Sequence, residues 1–221
     1  MQRTTRIVLT LLIAALLAAI IIPAAISQGT DHRAKGRAGM AAWAPDEIYN
    51  IVSITGATDS SISFDVLGSA IKGKDGKVVF MNESKKRSGT YYFANDTAII
   101  PFAGKTDQKR QRPMIGNYSN ASVNVAGASA VVTMKNVTMV GKRQGEPGAR
   151  FTSLGVYMPD GKAKSYTLAT PARITRSADN KSMVIVGNPS VRAALQDIQA
   201  SGARFPADAK PVMLKDIDAA M

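Results

Sequence analysis

From Tyr49 to Val186 the chain is a succession of short β-favouring runs separated by tight-turn signals, and this cadence constrains the fold more than any other feature. Ser61-Ile62-Ser63-Phe64-Asp65-Val66 alternates polar with apolar, so Ile62, Phe64 and Val66 share one face of a strand and form the expected apolar interior face. Further runs lie at 77–81, 91–93, 98–100, 129–140, 150–158, 164–168, 172–176 and 182–186. Lys74-Asp75-Gly76-Lys77, Pro159-Asp160-Gly161-Lys162 and Ala178-Asp179-Asn180 separate neighbours, and Asp-Gly supplies the positive φ that a two-residue hairpin needs. About nine or ten strands with short links predict an all-β domain over 47–187, an antiparallel jellyroll, sandwich or open half-barrel.

A short C-terminal helix is expected to begin at Asn188-Pro189, with asparagine as N-cap and proline in the first turn. It presents Val191, Leu195 and Ile198 on one face and stops at Ser201-Gly202. Residues 203–221, which mix Pro, charge and small apolar patches, are expected to lie on the surface, so 188–221 reads as helix and tail.

At the other end, residues 7–26 are apolar except for Thr10 and Pro23, and follow Arg3 and Arg6. A helix of that length rises roughly 30 Å, enough to cross a bilayer core. Ile7, Leu11, Ala14, Ala18, Ile22 and Ile26 would line it, and Ala14-Ala15 and Ala18-Ala19 give it small residues for close helix contact. The same stretch reads as a secretory signal with Ala25-Ile26-Ser27 as a cleavage site after Ser27. Residues 1–27 are thus a membrane anchor or signal peptide, and 28–46, containing Trp43, form a tether. Both readings place the β-domain outside the cytoplasm, periplasmic or at the cell surface.

The candidate chemistry is sparse. There is no cysteine, and His32 is the sole histidine, so no thiol nucleophile, His-based triad or His/Cys metal site can be assembled. Asp46-Glu47 and Asp216/Asp218 are the nearest carboxylate pairs and read as solvated surface. Ser182-Met183 is the one hint of a serine/lysine dyad, without a matching lysine stretch. No phosphate-binding glycine loop is present. The expectation is a protein that binds rather than catalyses, with no metal or cofactor.

The net charge of +12 suits an anionic neighbour, membrane phosphates or glycolipid; an exported domain has little occasion to meet nucleic acid. Lys85, Lys86, Arg87, Lys109, Arg110 and Arg112 are the candidate contacts, in segments read as loops. Six of the nine asparagines, Asn82, Asn95, Asn117, Asn120, Asn136 and Asn180, begin Asn-x-Ser/Thr triplets and are candidate N-glycosylation sites.

The segment 136–187 resembles the OstA-like proteins of lipopolysaccharide export, particularly their membrane-anchored periplasmic component. The resemblance rests on Asn136-Val137-Thr138-Met139-Val140, Ala149-Arg150-Phe151-Thr152-Ser153-Leu154, Pro159-Asp160-Gly161, Thr170-Pro171-Ala172-Arg173-Ile174-Thr175 and Val184-Ile185-Val186-Gly187-Asn188-Pro189. It implies a V-shaped, open stack of strands that carries acyl chains and docks edge to edge with a similar protein. The alternatives are an N-glycosylated surface filament or coat subunit, and an accessory single-helix subunit of a membrane complex.

Overall fold

The computed structural model describes residues 44–102, 114–140 and 148–221. The anchor or signal segment, Ser27, residues 28–43 of the expected tether with Trp43, and Lys109, Arg110 and Arg112 lie outside the described residues, while Pro45 and Asp46, expected in the tether, begin the first strand.

The strands are β1 (Pro45–Ala57), β2 (Ser61–Gly73), β3 (Lys77–Tyr92), β4 (Thr97–Pro101), β5 (Met114–Asn117), β6 (Ser122–Val123), β7 (Ala130–Lys135), β8 (Thr138–Val140), β9 (Gly148–Tyr157), β10 (Ala163–Arg176), β11 (Ser182–Val186) and β12 (Val212–Met213). Helix α1 is Pro189–Ser201 and α2 is Leu214–Ala219. Local chemistry sets the hairpins. Gly76 (φ +75°) turns β2 into β3, Gly161 (φ +80°) turns β9 into β10, and Asn180 (φ +57°) turns β10 into β11. At the first two, Asp75 and Asp160 each accept from the backbone N–H two residues on, at 3.1 Å.

The all-β antiparallel expectation holds, but the main sheet is not an open half-barrel or a two-sheet sandwich. Strands β1-β2-β3-β4-β11-β10-β9-β7 pair in that order and β7 pairs back onto β1, a closed eight-stranded barrel. The open stack implied by the OstA-like resemblance is therefore replaced by a closed wall. Closure is helped by interruptions in the register. Between Val66↔Arg87 and Gly68↔Asn82, Leu67 of β2 stands opposite residues 83–86 of β3, and β1 shifts at Ile51/Val52. Such bulges bend and twist a strand, which a flat sheet needs before it can curl on itself.

The two faces of the wall bury two cores. The inner face includes Ile62, Phe64, Val66, Tyr91, Ile100, Phe151 and Ile174. On the outer face, Tyr49, Ile51, Ala70, Val78 and Val131 are covered by residues 203–221. This last segment is not loose surface: Leu214 and Ile217 are 0% exposed, and Phe205 is buried with its ring stacked near Tyr157. Its backbone is fastened by Phe205 N–H to the Ala128 carbonyl (2.8 Å) and Leu214 N–H to that of Ala121 (2.9 Å). Burying three such side chains contributes about 1.5–3 kcal/mol each toward holding the segment in place.

Helix α1 forms where the sequence signals it. Asn188 Oδ1 accepts from the N–H groups of Ser190 (3.0 Å) and Val191 (3.3 Å), and Gly202 ends the helix in the left-handed region. Its buried face is Val191, Ala194, Leu195 and Ile198, the i, i+3, i+4, i+7 stripe of an amphipathic helix. Strand β11 pairs only with Arg173–Arg176 of β10, and along the first part of β10 the helix closes the wall instead. There Ser190 Oγ donates to the Thr167 carbonyl (3.2 Å) and Asn188 Nδ2 to that of Thr170 (2.8 Å).

Candidate functional site

Inside the barrel lies a cavity of about 110 Å³. Eight-stranded barrels have interiors just wide enough to be filled by side chains or to hold one small ligand. Small residues line part of the space beside the large ones, Ala98 on the wall and Ala194 on the helix. Gly89 has no such room beside it: a Cβ there would stand 2.8 Å from both Phe64 Cζ and Ile100 Cγ1.

The cavity wall is apolar through most of its extent, with Phe64, Ile100, Phe151, Ile174 and the buried face of α1 among its linings. Three polar side chains also line it, Asn50, Ser69 and Arg87, all only half-buried, and Ser69 Oγ donates to Asn50 Oδ1 at 2.9 Å. Met81, Met134 and Met183 are half-buried linings as well. Pairing relations place these groups at the barrel end opposite α1. Met183 sits across from Ile100 on β4 and Arg176 on β10, whereas the α1 end carries Tyr91, Ala98 and Ile185.

Two ionic clasps hold α1 over its end. On one side Arg192 Nε donates to Asp96 Oδ1 (2.8 Å) and its Nη2 to the Phe93 carbonyl (2.7 Å). The Tyr91 hydroxyl donates to the same Asp96 oxygen at 3.1 Å, and burial followed by the Asp96 charge pushes its pKa well above the usual phenol value. On the other side Asp197 accepts from Lys164 and from the Tyr166 hydroxyl. Those two bonds, Lys164 first, hold the Asp197 carboxyl below the ordinary aspartate value.

A second constellation lies outside the barrel. Asp218 of α2 accepts from the Tyr118 hydroxyl and lies 2.8 Å from that of Tyr49, which also reaches Glu47. Lys72 stands 3.2 Å from Glu47 and 3.5 Å from Asp218, over the Tyr118 ring, and Lys135 is 3.8 Å from Asp218. Burial, with the two carboxylates adding to it, drives the Tyr49 pKa far above the phenol range, so the ring stays neutral and donates. Glu47 and Asp218 are thus not separate solvated surface groups; together they clasp the C-terminal helix to β1. No local sequence signal pairs residues so far apart.

The remaining sequence candidates fall in several places. Ile62, Phe64 and Val66 are buried on the inner face. Lys85, Lys86 and Arg87 belong to strand β3, not to a loop; Lys86 pairs with Asp65 at 2.9 Å and Arg87 points to the cavity rather than to a surface patch. Asn82 is also within β3. Asn95, Asn117, Asn120, Asn136 and Asn180 are exposed, at turns and strand ends; Asn117 caps a 3-10 turn and Asn136 Nδ2 donates to Thr152. Ser182 opens β11, its backbone N–H donating to Ser177 Oγ.

Among the described residues no cluster of acidic, His or Cys side chains could hold a metal ion, and no helix is long and apolar enough to cross a membrane. Comparison of the chain with protein-family models, curated proteins and solved structures finds no match to any of them.

Proposed function

We propose that this domain binds a small apolar or amphipathic molecule inside its barrel, as a carrier or sensor rather than an enzyme. The observation that carries the reading is the apolar cavity. A void of about 110 Å³ costs roughly 2–3 kcal/mol at about 24 cal/mol per Å³. That is a large fraction of a domain's net stability, and space kept at such cost inside a closed barrel is space with a use. A dry apolar cavity of about 150 Å³ accepts benzene, which sets the scale: a small ring or a few methylene groups. The same cavity offers Asn50 and Ser69 to a polar end. The apolar stretch 7–26 supports a place beside a membrane and outside the cytoplasm, where acyl-type ligands are at hand.

The test is a thermal-shift and isothermal titration series on the full chain with benzene, hexanol and octanol, repeated on Ala194→Leu. Ala194 is 2% exposed and lines the cavity, so leucine there occupies the space. Concentration-dependent stabilisation of the wild type that Ala194→Leu abolishes supports the reading. No stabilisation by any of the three, together with a more stable Ala194→Leu protein, would make the cavity a packing defect and overturn it.

The exposure of all five described sequon asparagines outside β3 favours, as a second feature of the same protein, N-glycosylation at the cell surface. Intact mass of protein taken from its native membrane tests it; an unmodified mass removes it.

A further inference from the structure

Resting on the cavity reading above, we infer that the ligand is an anionic amphiphile, its carboxylate or phosphate head held by Arg176 at the barrel end opposite α1. On β10, Ala172 and Ile174 face inward, and the alternation of a strand carries Arg176 to the same face one step nearer that end. Its cross-strand partner on β11 is Met183, which lines the cavity, and Met183 is in turn opposite Ile100, another lining residue. Arg176 is therefore the next inward residue beyond the apolar wall.

Its guanidinium is in an unusual state. Nε and Nη2 are shielded from solvent and neither has a hydrogen-bond partner, and the ring of Phe102 lies 5.3 Å from the guanidinium carbon. Burial without a counter-charge lowers its pKa from the ordinary arginine value. A cation–π contact offsets only part of the loss of water, because two donors of a charged group remain empty. Every other charged side chain held in the barrel's end clasps is paired: Arg192 with Asp96, Lys164 with Asp197. Arg87 lines the cavity itself. A planar guanidinium with two free donors matches an oxyanion, which accepts both at once. The apolar chain of such a ligand would lie among Ile174, Ile100 and Phe151, with Asn50 and Ser69 beside it.

The experiment compares hexanoate, hexyl phosphate and hexanol by titration calorimetry on the full-length wild type, Arg176→Gln and Arg176→Met. The expected result is that one or both anions bind at least about tenfold tighter than hexanol, that both variants erase this difference, and that hexanol affinity is unchanged. Which anion gains more identifies the head as carboxylate or phosphate. Equal affinity for all three ligands on the wild type would overturn the head-group inference while leaving the cavity reading intact; absence of binding by all three would overturn both. A second readout needs no ligand. Arg176 is half-buried and only its Nε and Nη2 are shielded without partners, so removing the charge costs no hydrogen bond and Arg176→Met is expected to be at least as stable as the wild type. A fall in midpoint like that of Arg192→Ala would show a partnered guanidinium and sink the inference.

Discussion

Replacing Arg192 by alanine removes two charge-assisted hydrogen bonds at once, Nε to Asp96 Oδ1 (2.8 Å) and Nη2 to the Phe93 carbonyl (2.7 Å). It also leaves the Asp96 carboxylate, whose side chain is 18% exposed, with the Tyr91 hydroxyl but no cation. Hydrogen bonds to charged groups contribute about 1.5–3 kcal/mol, and partial exposure of the arginine discounts the ion-pair share, so the expected cost is about 2 kcal/mol. With a urea slope of about 2 kcal/mol/M for a domain of this size, the midpoint falls by roughly 1 M. The partner substitution must be Asp96→Asn and not alanine, because Asp96 has φ +51° and asparagine tolerates that region. A double-mutant cycle of Arg192→Ala with Asp96→Asn is expected to show a coupling of about 1–2 kcal/mol. Hydrogen exchange gives the local signature: amides of α1 lose protection while those of β2 and β7 keep it. A midpoint change under about 0.3 M, or strictly additive single effects, would refute the clasp as a source of stability.

Two further outcomes follow from the same packing. Gly89→Ala places a methyl 2.8 Å from Phe64 Cζ and Ile100 Cγ1; overpacking of about 1–3 kcal/mol should lower the thermal midpoint by roughly 3–10 °C, and an unchanged midpoint would show that the ring simply swings into the cavity. Asp197 has a depressed folded pKa through Lys164 and Tyr166, so its contribution is fully present above the unfolded aspartate value of about 4 and is lost as pH falls through the folded one. The urea-midpoint gap between the wild type and Asp197→Asn should be constant from pH 7 to 5 and shrink below about pH 4; a gap that closes above pH 5 contradicts this assignment.

What was legible in the sequence is what is local. The hairpins at Asp75-Gly76 and Asp160-Gly161, the alternation at Ile62/Phe64/Val66 and the capped α1 each depend on neighbours a few residues apart. Closure depends on pairings of distant strands, β1 with β7 and β4 with β11, which no short-range pattern specifies. Strand β1 conceals its role further: Ile48 and Val52 point inward while Tyr49 and Ile51 are buried under the C-terminal segment, so it lacks clean alternation. The C-terminal tail misled for a related reason: β12 has two residues and α2 six, and β12 owes its order to pairing with β6 and α2 to contacts with Tyr49, Tyr118 and Lys72, rather than to propensity. Arg176 did leave a trace. Ala172, Ile174 and Arg176 alternate on one face, and an arginine completing an apolar row is the kind of local inconsistency that marks a site.

The two ends of the barrel are closed differently, and on the proposed cavity reading this difference orients ligand passage. Undocking α1 would break the Arg192–Asp96 and Asp197–Lys164 pairs and expose Val191, Leu195 and Ile198, three large apolar side chains at about 1.5–3 kcal/mol each. The opposite end carries half-buried Met81, Met134 and Met183, unbranched side chains that change rotamer at little cost. An amphiphile entering there, chain first, would leave its head beside Arg176, so entry route and head-group position agree without a moving helix. Loosening α1 with Arg192→Ala should then leave the rate of ligand entry unchanged while lowering stability. Faster entry in that variant, measured by stopped-flow, would transfer the gate to the helix and detach the head-group site from the path.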